Sequence, residues 1–68
     1  MISKETAVQL LHAGVNLKIS LLSKEACVEL AGIAKARGVR LEIKGSLSAD
    51  SMLEIVRVGG ANVLLDVS

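Results

Sequence analysis

One cysteine, one histidine and a net charge of +1 in a chain of 68 residues exclude several classes of function at the outset. Cys27 has no partner for an intrachain disulfide, and Cys27 with His12 falls short of a four-ligand zinc site. The near-neutral charge gives no pull toward nucleic acid or an anionic membrane, and none of the hydrophobic 51% is aromatic, so no ring can stack on a base or anchor an interface.

A chain of about 60 residues hides only about 60% of the surface its unfolded form exposes, so a domain this small needs reinforcement. With disulfides and a metal set aside, dense aliphatic packing and association with another subunit remain. The uncharged stretches fall short of the roughly 18 apolar residues that a membrane span needs. Met1–Thr6 lacks the basic-then-apolar build of a signal peptide. Together with the free cysteine this reads as one cytoplasmic domain, residues 1–68, with no cofactor.

In chain order, Ser3-Lys4-Glu5 opens a helix: the serine hydroxyl can cap a free N–H of the first turn, and the acid suits the positive end of the helix dipole. Ala7, Val8, Leu10 and Leu11 form its apolar stripe, and Gly14 ends it. Val15–Ser20 then alternates apolar and polar residues, as a strand with one buried face does. After Leu21-Leu22, Ser23-Lys24-Glu25 opens a second helix with the stripe Cys27, Val28, Leu30 and Ala31, ending near Arg37 at Gly38. Val39–Lys44 is the second strand and Gly45-Ser46-Leu47 its turn. Ser48-Ala49-Asp50 opens a third helix with the stripe Met52, Leu53, Ile55 and Val56, ending near Arg57 at Gly59-Gly60. Val63–Ser68 is the third strand.

The three strands recur every 24 residues, with apolar columns Val15/Val39/Val63, Leu17/Leu41/Leu65 and Ile19/Ile43/Val67. A strand, a crossover helix and another strand of the same sheet run parallel and right-handed. Each strand has one apolar face, so all the helices belong on that side; a sheet covered on both faces would show continuous apolar runs. The expected fold is α/β: a two-layer (α-β)3 repeat over approximately 3–20, 23–44 and 48–68, with parallel strands in the order 1-2-3 and one sheet face open. In period and layout the chain resembles a leucine-rich-repeat or related α/β solenoid unit. That family follows its strand with a buried asparagine, where Leu22 and Ser46 stand here, so its asparagine ladder is not expected. The resemblance implies the layered architecture and protein binding on the open sheet face.

Three places can carry function. The open face presents Asn16, Lys18 and Ser20, then Arg40, Glu42 and Lys44, then Leu64, Asp66 and Ser68. With an unbroken 24-residue period, Lys18 lies beside Glu42, and Glu42 lies unfavourably beside Asp66. The second place is the edge of the last strand, Val63-Leu64-Leu65-Asp66-Val67, an apolar template for pairing with another chain. A second copy across a two-fold axis is its expected partner. The third is the turn Lys44-Gly45-Ser46-Leu47-Ser48 at a helix N-terminus, where Lys44, Gly45, Ser46 and Ser48 can cradle an anion. Cys27 occupies a core column and His12 the margin of another helix, so no nucleophile–base pair is expected. The sequence thus reads as a non-catalytic, self-associating interaction or structural module. An anion- or nucleotide-binding regulator that uses the Gly45–Ser48 turn is the alternative.

Overall fold

In the computed structural model, which describes residues 2–67, three serines set where the helices begin. The hydroxyls of Ser3, Ser23 and Ser48 accept from the backbone N–H groups of Thr6, Ala26 and Ser51 at 3.2, 3.2 and 3.3 Å. The helices they cap are α1 (Lys4–His12), α2 (Lys24–Arg37) and α3 (Ala49–Gly59). α2 stops at Gly38, which takes the left-handed conformation at φ 71°, where a side chain would be strained. α3 runs into a 3-10 turn at Gly60–Asn62.

The strands are β1 (Leu17–Ser20), β2 (Leu41–Lys44) and β3 (Val63–Asp66), parallel and in the order β1-β2-β3. The fold is the expected small α/β unit with an open three-stranded sheet. Leu41 and Ile43 of the middle strand are fully buried and Ile19 nearly so, against Leu11, Leu30 and Ile55 from the three helices. No buried side chain among the described residues is polar or charged. The core is aliphatic, with the Cys27 thiol as its one sulfur.

The 24-residue period holds only between the first two strands. Leu17 pairs with Leu41, but Leu41 pairs with Val63, an offset of 22. The difference comes from element lengths: α2 has 14 residues and α3 has 11, while the turn into α3 is one residue longer than the turn into α2. The net change is two residues, an even number, so each side chain of β3 keeps its face. The columns therefore become Leu17/Leu41/Val63 and Ile19/Ile43/Leu65. Val67 does not join Ile19 and Ile43; it lies past β3 and is 56% exposed. The expected Glu42–Asp66 repulsion disappears as well, because Glu42 lies beside Leu64 and Lys44 beside Asp66.

Helix burial follows position in the row. α2 has a helix on each side and buries Ala26, Cys27, Leu30, Ala31 and Ala34. α1 buries Ala7 and Leu11, and α3 buries Ile55 and Gly59. The apolar stripes predicted for the outer helices are thus only half used: Leu53 is exposed and Leu10, Met52 and Val56 are half-buried. Val15, read as the start of a buried column, is exposed just beyond the end of α1.

Small residues let the helices lie close. A Cβ at Gly59 would collide with Val63 Cγ2 and crowd Ala31 Cβ, whereas one at Gly32 meets only Val58 Cγ1 at 3.5 Å, an ordinary contact. Gly59→Ala is therefore expected to destabilise the fold by about 1–3 kcal/mol. Gly32→Ala, inside α2, is expected to stabilise it by roughly 0.5–1 kcal/mol. Urea denaturation of the two variants against the wild type measures both signs.

Candidate functional site

The open sheet face is polar, as its alternation requires. Lys18 Nζ lies 3.8 Å from Glu42 Oε2, with the lysine side chain 74% exposed, a pair that contributes little in water. Asn16, Leu17, Lys18, Arg40 and Glu42 border a shallow depression on this face. Leu64 is the apolar exception at 46% exposure, and Lys44 and Asp66 are neighbours in register. Ser68, also assigned to this face, lies outside the described residues.

The two edges of the sheet differ. β3 pairs with β2 alone, and its edge is flanked by exposed Leu64 and Val67, with Leu53 on α3. Val63 and Leu65 turn inward and are half-buried. At the other end β1 has an edge that the sequence did not single out. A cleft of about 250 Å3 lies between it and α1, lined by Ile2, Leu10, Leu17 and Ile19 with Lys18 and Ser20. One sequence signal pointed there: Leu10 occupies the stripe position at which Leu30 and Ile55 are buried, yet it belongs to an end helix.

Two asparagines tie the amino ends of the strands together. Asn16 Oδ1 accepts from the Arg40 backbone N–H at 2.9 Å, and Asn62 Nδ2 donates to the Val39 carbonyl at 2.9 Å. Both bonds end on the segment that leads into β2. The resemblance to leucine-rich repeats points to the opposite end of the strands, and no local pattern in the sequence marks Asn62, or Asn16 beyond its place on the open face.

The Lys44–Ser48 turn is largely committed to the fold. Gly45 N–H donates to the Asp66 carbonyl at 2.8 Å, and Ser48 Oγ caps α3 and lies 3.0 Å from Ser51 Oγ. Lys44 and Ser46 remain exposed. The Cys27 thiol is fully buried and donates weakly to the Leu22 carbonyl at 3.8 Å. His12 closes α1 while Cys27 lies in the first turns of α2, which runs in the same direction, so the two sit at opposite ends of the helix layer.

On the helix side the same ion pair occurs twice. Lys4 bridges to Glu29 at 2.7 Å and Lys24 to Glu54 at 2.9 Å, all four side chains about half exposed. In each pair the lysine follows a capping serine and the glutamate sits six residues after the next one. Both ammonium groups are held above the ordinary lysine range, first by the hydrogen bond to the glutamate and then by its charge.

Two outcomes follow from these contacts. Asn62 acts as a donor, so Asn62→Asp sets a carboxylate against the Val39 carbonyl and is expected to cost about 1–3 kcal/mol in urea denaturation. Asn16 acts as an acceptor, so Asn16→Asp keeps its bond and is expected to stay within about 0.5 kcal/mol of the wild type. The lysine pairs set a pH dependence. A raised folded-state value means the contribution is complete below the unfolded lysine range and is lost as pH rises through the folded value. The urea midpoint of the wild type should therefore fall further between neutral and strongly alkaline pH than that of a Lys4→Met, Lys24→Met double variant.

No helix of the described residues is long and apolar enough to cross a membrane, and no three of their His, Cys, Asp or Glu side chains cluster as a metal site would require. Comparisons with protein-family models, with curated proteins and with solved structures found no match for this chain.

Proposed function

We propose that this protein is a non-catalytic α/β module of the cytoplasm that self-associates through the β3 edge and presents its polar sheet face to other proteins. One observation carries the reading: of the four exposed large apolar side chains among the described residues, three, Leu53, Leu64 and Val67, belong to α3, to β3 or to the residue just past it. An unpaired strand bordered by apolar side chains favours pairing with another chain. The thin core of a domain this size gives association a stabilising role as well. The buried free thiol of Cys27 supports a reducing compartment and, with His12 at the far end of the helix layer, supports a role without nucleophilic catalysis. The likeness to leucine-rich repeats supports the use of the open face.

Light scattering on a sizing column over a wide range of loading tests this reading. The wild type is expected to run at twice the monomer mass or more when concentrated. Leu64→Lys is expected to weaken association roughly tenfold or more, because burying a leucine contributes about 1.5–3 kcal/mol and tenfold corresponds to about 1.4 kcal/mol. A wild-type monomer at every loading overturns the proposal.

A further inference from the structure

The two asparagine bridges share one geometry, and each leaves half of it unused. Asn16, Arg40 and Asn62 occupy one column, a residue ahead of the paired Leu17, Leu41 and Val63. Asn16 spends its Oδ1 on the N–H of the following strand's residue in that column, and Asn62 spends its Nδ2 on the carbonyl of Val39, one residue earlier in the preceding strand. Among the described residues, no bond occupies Asn16 Nδ2, the Asn16 N–H or Asn62 Oδ1. The backbone is arranged to match. Leu17 N–H donates to the Arg40 carbonyl, so by alternation Lys18 and Ser20 turn their backbone groups away from β2. The Asp66 carbonyl accepts from Gly45, so Leu65 and Val67 turn theirs outward at the other edge.

We propose that copies of this chain associate head to tail, with β3 of one copy pairing in parallel with β1 of the next. This rests on self-association through β3 and names the surface that edge meets. Asn62 Oδ1 then accepts from the Asn16 N–H of the next copy, as Asn16 accepts from Arg40 within the chain. The next copy's Asn16 Nδ2 donates to the Ala61 carbonyl, as Asn62 donates to Val39. Continuing the register sets Leu65 beside Ile19, Leu64 beside the aliphatic stem of Lys18, and Asp66 beside Ser20, with no like charges opposed. The outer flank of α3, carrying Met52 and Leu53, meets the Leu10 side of α1 and closes the cleft beside β1. A two-fold pairing of two β3 strands leaves the β1 edge, its cleft and both asparagine halves without partners. A head-to-tail contact leaves a free edge at each end of the pair, so assembly grows past the dimer with concentration until a ring closes.

The test uses one variant for each edge. Lys18→Pro removes an outward N–H of β1 and, within the sheet, no backbone bond but only the exposed ion pair with Glu42. Leu53→Glu with Val67→Pro blocks the β3 edge at two exposed residues. Far-UV circular dichroism confirms that each folds; should Lys18→Pro not, Leu10→Glu on the α1 wall of the cleft replaces it. Each variant alone is expected to stay monomeric by light scattering while the wild type grows, and an equimolar mixture is expected to give a 1:1 dimer that grows no further. If the β1-edge variant alone still dimerises, or the mixture stays monomeric while the wild type associates, the head-to-tail arrangement is overturned and association through β3 stands. If the wild type is itself monomeric throughout, both fall together.

Discussion

The alternation of side chains along a strand is the constraint on which the rest of this structure depends. Only one face of the sheet is covered, so every strand must send its apolar residues the same way, and any shift between strands must be an even number of residues. The 14-residue α2 and the 11-residue α3 satisfy that requirement with different lengths, because the turn before α3 is one residue longer. The same parity sends Lys18, Glu42 and Leu64 to the open face in one row. An odd shift would have buried Asp66 and Leu64 in place of Val63 and Leu65.

With no aromatic side chain to fill space, the interior is built shallow. Ala7, Ala26, Ala31, Ala34 and Gly59 are buried along the helices, which brings helix backbones close to one another and to the sheet. Close packing of small residues makes the centre intolerant of added volume, as Gly59 against Val63 and Ala31 shows. Burial is most extensive in the middle of the row, where α2 and β2 have neighbours on both sides, while α1 and α3 bury only Ala7, Leu11, Ile55 and Gly59. The ends keep a surplus of apolar surface on Leu10, Met52, Leu53 and Leu64.

The architecture was legible in the sequence because its signals are local. Serine caps, glycine stops and two-residue alternation act within a few residues, and they set the three helices, the three strands and their layering. The register of β3 was not legible, since the identical spacing of Val15, Val39 and Val63 suggested a strict period, whereas the pairing depends on how far a particular helix and turn carry the chain. For the same reason Leu53 and Val67 were placed inside. Periodicity identifies a stripe but does not say whether a neighbour stands beside it. The asparagine bridges were illegible for a different cause: Asn16 and Asn62 are 46 positions apart, and only the 22-residue offset of β3 brings both into the column of Arg40.

Neighbouring helix–strand units are joined by two systems that end differently. On the helix side the serine-adjacent lysine pairs with a glutamate of the next helix, Lys4 with Glu29 and Lys24 with Glu54. The outermost positions of that series are Gln9 on α1 and Ala49 on α3, neither charged. On the strand side the outermost groups are asparagines with a donor free at one end and an acceptor free at the other. The proposed contact between the ends of two copies therefore draws on backbone pairing, asparagine bridges and apolar flanks, and not on the helix ion pairs. Exposed pairs of that kind contribute little in water and weaken with salt, so the proposed contact loses little without them. The ion pairs lie between helices of one chain, so the proposed contact between copies rests on the strand edges and is expected to depend little on ionic strength.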